Sequence, residues 1–345
     1  MKSIEKRITI ADVAAMAKVS PTAVSFAFNK PDQLNIDTVN RIHQVAADLG
    51  YMPSPIARAL ISRRVGSIGL LTPQPLSMVL ANSYFTTFLQ GMSSMCYEQQ
   101  FSLLALSPID GSLDRVFSRS SVDGFVIVGF DEDHREVQPL KKRKIPFVVV
   151  DGTASTVSSV NIDDEHGAFA AAHHVLCNGH KDVLILMIEG AFGHHEEGGH
   201  GVGRSRLAGY RRAHQLHGVP WRYQWVVPAA SSHAGGEREF ERVLANGMRP
   251  TAVLCASDSF AIGVMTAAQN HGISIPDELE IIGFDDSMEA ALVRPALSTV
   301  HQPTFEKGRS AVSLLIRHID GSTTADHVIM LTKLTLRGTT RMNTI

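Results

Sequence analysis

The chain of 345 residues is 44% hydrophobic and 19% charged, with a formal net charge of −2; at ~150 residues per domain this is about two domains with cores of their own, neither disordered nor fibrous. Apolar, buried-looking stretches such as Phe147–Val150 and Val183–Ile188 fall far short of the ~18–20 residues of a membrane helix. The N-terminus carries charges but no apolar stretch or cleavage site, so neither membrane insertion nor secretion is expected and a cytoplasmic location is.

Charge is unevenly spread. Residues 1–64 hold nine basic and five acidic side chains, a net of +4, which leaves −6 on the rest. The net charge by itself predicts no nucleic-acid binding, but a small basic head on a mildly acidic body is the asymmetry to explain. Within the head, Thr9 is placed to cap a first helix whose Ile10, Val13, Ala14 and Ala17 fall on one stripe. Val19 marks a tight turn, and Ser20 followed by Pro21 opens a second helix reaching about Asn29. Leu34 and Asn35 introduce a third, with Val39, Ile42, Val45, Ala46 and Leu49 on one face and Gly50 as its stop. Two short helices joined by a tight turn, with a third across them, describe a helix-turn-helix module.

Residues 51–55, Tyr51-Met52-Pro53-Ser54-Pro55, are too proline-rich for a continuous helix, and 56–63 read as a short helix within a linker. From Val65 onward apolar strands are expected at 67–71, 102–106, 124–128, 146–150, 183–188, 251–256 and 279–284, with late strands at 297–300 and 328–336. Helical stretches such as 84–99, 165–178, 204–217 and 260–271 separate them. The alternation predicts parallel sheets covered on both faces, in two α/β subdomains. Ligands of such sheets sit beyond the carboxyl ends of the strands, where Thr72, Gln74, Asp151, Glu189, Ser257, Asp258, Asp285 and Asp286 lie. Each of these is also a common cap residue. Arg204, opening a helix after a glycine-rich loop, is a stronger candidate for an oxygen-rich ligand.

At this point the residues resemble a known family. Thr9-Ile10-Ala11-Asp12-Val13-Ala14, Ala17-Lys18-Val19-Ser20, Thr22-Ala23-Val24-Ser25 and Asn29 are similar to the DNA-binding head of the lactose/galactose repressor family. So are Gly50-Tyr51-Met52-Pro53 and Ala57-Arg58-Ala59-Leu60. In the body the matching stretches are Arg204-Ser205-Arg206-Leu207-Ala208-Gly209-Tyr210, Pro250-Thr251-Ala252-Val253, Ala256-Ser257-Asp258 and Ile282-Gly283-Phe284-Asp285-Asp286.

The resemblance implies a small all-α head (1–53), a hinge (54–64) and a periplasmic-binding-protein-like body (65–345) of two doubly wound subdomains. The subdomains are expected at 65–163 with 288–303 and at 164–287 with 304–345. It implies a dimeric repressor that reads a pseudo-palindromic operator in double-stranded DNA through the second helix of each head. Pro21, Thr22 and Phe26 match base-reading positions, and Thr22, Ser25 and Asn29 reach phosphates. Thr9, Ser20, Tyr51 and Ala57 complete the DNA-binding set. Phe26 departs from the Arg or His common there; it packs on a thymine methyl or belongs to the head's core. Leu60 matches a leucine wedged into the minor groove, or is ordinary linker packing. Arg58, Arg63 and Arg64 add salt-dependent phosphate attraction.

In the body, Asp151, Arg204, Ser257 and Asp285 match ligand-contact positions, Tyr84 and Phe85 match aromatics on the other wall, and Gln74 joins them. The implied effector is a small molecule, a sugar or sugar derivative ahead of a purine; Ser257 stands where sugar-responsive members often carry Asn. No cofactor and no enzymatic activity are expected. The chain ends at Ile345, soon after its last expected strand, so a homodimer is expected.

Other signals were weighed. The 193–201 segment holds His194, His195 and His200, but the last two are five apart among glycines and lack zincin spacing, so a polar loop is expected, not a metal site. Lys141-Lys142-Arg143-Lys144 reads as the solvated end of a helix. His166, His173 and His174 share a predicted helix without ligand geometry. Cys96, Cys177 and Cys255, odd in number and far apart, read as buried free thiols in a reducing compartment. A sugar-binding protein of the same body fold and a metal-dependent enzyme are the competing classes.

Overall fold

The computed structural model describes residues 8–52, 64–72, 74–108, 113–189 and 201–342. The chain divides into two compact units, 1–65 and 66–345.

The first unit packs three helices, α1 (Ile10–Ala17), α2 (Pro21–Asn29) and α3 (Ile36–Leu49), around Val13, Ala14, Ala17, Val24, Ala27, Ile42 and Ala46. The caps lie where the sequence puts them. Thr9 and Asp12 form a reciprocal capping box on α1, and Ser20 accepts the Ala23 amide at the start of α2. Asn35 caps α3 and Gly50, at φ 64°, ends it. The α1–α2 turn is made by Lys18, whose φ of 56° is left-handed. Two side chains of α3 satisfy carbonyls late in the other helices: Arg41 Nε donates to Ala17 O (3.2 Å) and His43 Nε2 contacts Ala27 O (3.1 Å).

The second unit contains two six-stranded sheets. The first has the order β11-β5-β4-β3-β1-β2 and is wholly parallel. Its strands are β1 (Ser67–Leu71), β2 (Ser102–Leu106), β3 (Gly124–Val128), β4 (Phe147–Val150), β5 (Ser159–Ile162) and β11 (His327–Met330). Alternation along them divides one core in two: Ile68, Leu70, Val126, Val128, Val148 and Val150 face one side, Leu71, Phe125, Ile127, Phe147 and Val149 the other. Such strands are apolar at every position because both faces are covered. Here the helices are α4 (Leu76–Val79), α5 (Ser83–Glu98), α6 (Leu113–Arg119), α7 (Gln138–Arg143) and, later in the chain, α13 (Thr304–Ile319).

The second sheet has the order β12-β10-β9-β8-β6-β7, parallel except for the β10–β12 pair. It comprises β6 (Val183–Ile188), β7 (Val226–Ala229), β8 (Ala252–Cys255), β9 (Glu280–Asp285), β10 (Ser298–His301) and β12 (Lys333–Thr335). Around it lie α8 (Asp164–Cys177), α9 (Gly201–Leu216), α10 (His233–Ala245), α11 (Asp258–Asn270) and α12 (Met288–Leu292).

The architecture is the expected one, but the crossings between subdomains run differently. Residues 288–303 were expected with the first sheet; β10 instead runs parallel to β9, Ser298 beside Ile282, and completes the second sheet's hydrogen bonds. Residues 304–345 were expected with the second. Instead α13 lays Ala311, Val312, Leu314 and Leu315 on the Ile68/Val126/Val148 face, and β11 pairs with β5. The single late strand at 328–336 is two strands, one in each sheet. Helices α5 and α13 touch backbone to backbone: a Cβ on Gly91 would stand 1.9 Å from Phe305 O, and one on Gly308 2.3 Å from Phe88 O. The basic run 141–144 does close α7, with Lys144 as its left-handed cap. Cys177 departs from expectation. It is exposed, whereas Cys96 and Cys255 are buried.

Candidate functional site

In the head, α2 has two faces. Val24 and Ala27 are buried. Thr22, Ser25, Phe26 and Asn29 recur at the three-to-four-residue spacing of the opposite face, with Ser20, Pro21 and Thr22 exposed at the helix's N-terminal end. Asn29 Nδ2 donates to Ser25 O at 2.9 Å, so these two polar side chains form one unit. Phe26 is half-buried and lies outside the head's core cluster. That core place is filled by Phe28, stacked on His43 with centroids 4.8 Å apart and joined by Tyr51 at 6.0 Å. Tyr51 packs beside this pair at intermediate burial, and Thr9's hydroxyl is engaged with Asp12. Ala57 and Leu60, like the 193–200 histidines, lie outside the described residues.

In the body, the carboxyl ends of both sheets open onto a cavity of about 640 Å³, a size suited to one small molecule. Gln74, Tyr84, Phe85, Asp151, Ser257 and Asp285 all line it, as do Thr72 and Glu189. Arg204 does not. It sits on the exposed side of α9, and the guanidinium in the cavity is that of Arg206, two residues on. Two positions apart on α9, the two arginines face opposite sides of the helix, Arg206 inward and Arg204 out. Arg206 Nε donates to Asp164 Oδ1 at 2.8 Å and Nη1 to Ala256 O at 2.6 Å, with the guanidinium 3.5 Å over the Phe284 ring. A buried cation so held presents a fixed edge to a ligand. Burial raises the Asp164 carboxyl despite this partner.

On the opposite wall, Asn82 caps α5 and its side-chain nitrogen reaches Ser231 Oγ (3.2 Å) in the other subdomain. Tyr84 donates its hydroxyl to Asp151, which stands after β4 with a φ of 55°. Lys307, fully buried on α13, donates to Asp151 Oδ1 (2.8 Å) and to Gln302 Oε1 (2.7 Å). Gln302 Nε2 donates in turn to Asp285 Oδ1 at 2.5 Å. The result is a continuous polar chain, Tyr84–Asp151–Lys307–Gln302–Asp285, that runs from the first sheet to the second. Burial, and next to it the nearby Asp258, push Asp285 up to about 8. Burial pushes Asp258 up to about 7, but that carboxylate is taken by Thr299 Oγ1 and the Ser287 amide and is not part of the lining. Asp286 pairs with Arg337 and His301, also away from the lining.

Lys307, Gln302 and Arg206 were missed from sequence. Lys307 left a signal: it falls on the stripe of α13 that also carries Ala311, Leu314 and Leu315, where a lone lysine needs a buried partner. The rest of the lining combines apolar and aromatic side chains, Val79, Val128, Phe130 and Ile188 among them, with the polar Asp131, Asp133 and His134. The arrangement can accept and donate hydrogen bonds to a polyhydroxylated ligand while excluding water from its apolar edge.

Comparison with known proteins places both units. Residues 9–54 match the family model of bacterial regulatory proteins of the lacI family, and residues 172–340 match that of a periplasmic binding protein-like domain. The chain is 31% identical over 320 residues to the HTH-type transcriptional repressor PurR of Vibrio campbellii, covering 90% of this chain and 92% of that one. It is 28% identical over 334 residues to catabolite control protein A of Priestia megaterium, covering 94% and 96%. In fold it is similar to the lac repressor dimer bound to operator and the anti-inducer ONPF, with a TM-score of 0.82 at 22% identity, over 97% of this chain and 99% of that one. It is also similar to the transcriptional regulator CelR–cellobiose complex, with a TM-score of 0.72 at 23% identity, over 96% and 100%. Among the described residues no helix is long and apolar enough to cross a membrane. The chain thus belongs to the bacterial lacI family of DNA-binding transcriptional regulators.

Proposed function

We propose that this protein is an effector-responsive repressor that binds a pseudo-palindromic operator as a homodimer and takes a sugar or sugar derivative in the cavity between its subdomains. The observation that carries the effector reading is the Tyr84–Asp151–Lys307–Gln302–Asp285 chain: Tyr84, Asp151, Gln302 and Asp285 line the cavity, and the buried Lys307 behind them joins Asp151 to Gln302, a pattern matched to a ligand with several hydroxyls. Ser257 and Arg206 complete the set from the second subdomain.

The chain spans both subdomains, so a ligand that reorders it changes their relative angle, and that angle selects between DNA-competent and incompetent hinges. In the head, the Thr22/Ser25/Phe26/Asn29 face of α2 enters the major groove, with Leu60 of the hinge as the minor-groove wedge. For the dimer, the exposed Tyr97 of α5 and the neighbouring edge strand β2 offer a self-complementary surface. A purine is the second reading of the ligand, supported by Phe85 and Phe130 in the lining.

The test begins with selection from a random duplex library using the full-length protein at fixed salt, in the presence and absence of a panel of mono- and disaccharides and purines. A pseudo-palindrome whose binding is shifted by a sugar is the expected result. Enrichment of an asymmetric site, or a response to purines alone, overturns the dimer or the sugar reading respectively.

A further inference from the structure

Far from the cavity, α8 and α9 end beside each other, and there the side chains of His173, Cys177 and His217 converge. His173 and Cys177 are one turn apart on the same face of α8, and His217 immediately follows α9. His173 Nε2 lies 3.6 Å from Cys177 Sγ, His217 Nε2 lies 3.8 Å from the same sulfur, and His217 Nε2 lies 2.8 Å from His173 Nδ1. One ligand atom from each residue falls within 4.8 Å of the others.

The cluster answers no need of the fold. A helix pair is fastened by apolar contact, and α8 and α9 already bury Ala168, Ala171, Val175, Leu207 and Tyr210. Two imidazoles and a thiol at a half-exposed helix end contribute little to that.

We infer that His173, Cys177 and His217 form a binding site for a zinc-class divalent cation. Bond lengths of about 2.0–2.1 Å to imidazole nitrogen and 2.3 Å to thiolate sulfur give a tetrahedron whose N···S edge is about 3.5 Å and whose N···N edge is about 3.3 Å. The two sulfur–nitrogen separations are near that edge already. The short nitrogen–nitrogen contact is a hydrogen bond between the imidazoles. That contact uses the other ring nitrogen of His173, Nδ1, so it is not an edge of the tetrahedron: ligation through the two Nε2 atoms breaks the hydrogen bond and leaves its proton on His173 Nδ1, and the Cys177 thiol gives its own proton to solvent on ligation.

Two nitrogens and one sulfur, with no carboxylate among them, select zinc and its neighbours over magnesium or calcium. Cys177 is exposed, so the fourth position opens to water. The His173 ring is held from behind: Phe169 stacks on it at 5.5 Å and 11°, and the Arg212 guanidinium lies 4.3 Å over Phe169. Support of this kind orients a ligand before the metal arrives. At its other end α9 lines the effector cavity through Arg206, which is bonded there to Asp164 at the start of α8. A bound cation therefore clamps the pair at the end away from the effector.

The test is a titration of the full-length, phosphine-reduced protein with Co²⁺ as a spectroscopic probe, followed by Zn²⁺. We expect one equivalent per chain, a thiolate-to-cobalt charge-transfer band in the near ultraviolet, visible bands of tetrahedral cobalt, and loss of both on adding Zn²⁺. Cys177→Ser removes the near-ultraviolet band, and His217→Gln weakens Co²⁺ binding by roughly tenfold or more. Circular dichroism of each variant checks its fold. Should Cys177→Ser not fold, the wild-type spectrum and His217→Gln decide alone. Absence of the charge-transfer band, its persistence in Cys177→Ser, or unchanged affinity in His217→Gln overturns the proposal. So does binding abolished only by substituting His194, His195 and His200.

Discussion

The Nζ of Lys307 lies 2.8 Å from Oδ1 of Asp151, with the lysine fully buried and the aspartate nearly so. Asp151 ends β4 of the first sheet, whereas Lys307 arrives more than 150 residues later, on the helix that returns the chain from the second sheet to the first. This pair holds the returning helix at the cavity wall and, through Gln302, ties it to Asp285 on the far side.

Removing one member of a buried ion pair strands the other, at a cost of about 3–5 kcal/mol. We expect Lys307→Met and Asp151→Asn each to lower the urea-derived unfolding free energy by roughly 3 kcal/mol. The double variant should lose clearly less than the two losses added. Strict additivity would show that the pair acts independently.

Arg206 and Arg204 separate the two arginines of one motif. Arg206→Ala removes the partner of Asp164 and the cation over Phe284, and is expected to abolish the ligand-induced rise in melting temperature and to lower the melting temperature itself. Arg204→Ala, on the exposed side of α9, should leave both within error. Differential scanning fluorimetry with the responsive sugar reads both at once, and equal effects of the two substitutions would refute the assignment.

Asp285, at about 8, holds its proton to higher pH in the folded chain than in the unfolded one, where an aspartate titrates near ~3.9. The native state then binds more protons across that window, so this group's contribution to stability falls as pH rises from about 4 through about 8. The slope reaches at most about 1.4 kcal/mol per pH unit for one whole proton. Glu132 and Glu280, both lowered to about 2 because hydrogen bonds to the carboxylate outweigh their burial, act below this window. Asp285→Asn should gain stability relative to the wild type as pH rises from 5 to 8. Urea unfolding of both proteins at several pH values measures the difference, which cancels the histidines common to the two. A difference that is flat with pH would count against a protonated Asp285.

Phe26 and Phe28 stand two positions apart and are expected to differ in role. Phe26→Ala should leave the head's helical signal and melting unchanged while weakening operator binding about tenfold, consistent with a loss of ~1–2 kcal/mol at a base-methyl contact. Phe28→Ala removes the ring that stacks on His43 and lies tilted against Tyr51, and should destabilise the head by about 2–3 kcal/mol, in line with aromatic truncation at a partly buried site. Gel shift and circular dichroism distinguish them; loss of folding in Phe26→Ala would return that residue to the core.

Much of the molecule is legible locally. Capping residues Thr9, Ser20 and Asn35 each act on amides within three positions, so their role is written in a few adjacent letters. The strand ends that carry Asp151, Ser257 and Asp285 are likewise readable, because a parallel sheet puts its binding groups there whatever else is true of it. The arginine of α9 was not readable to the residue. A shift of two positions in a helix rotates a side chain by about 200°, and only the packing of Leu207, Tyr210 and Ala213 into the core shows which arginine faces the cavity. Nor were His173, Cys177 and His217 readable as a cluster, since the third member is 40 residues from the second.

The sequence by itself determined the class of each unit: three capped helices with a basic bias, then alternating apolar strands and helices with polar groups at the strand ends. Those properties follow from short-range periodicity and from the chemistry of individual residues. Only the tertiary structure decided which strand joins which sheet. β10 and α13 are apolar enough for either subdomain, and the choice rests on hydrogen bonds to β9 and on packing against Ile68, Val126 and Val148. The same choice carries Lys307 to Asp151 and Gln302 to Asp285. The wall of the cavity is therefore a consequence of long-range pairing, which no local pattern of residues encodes.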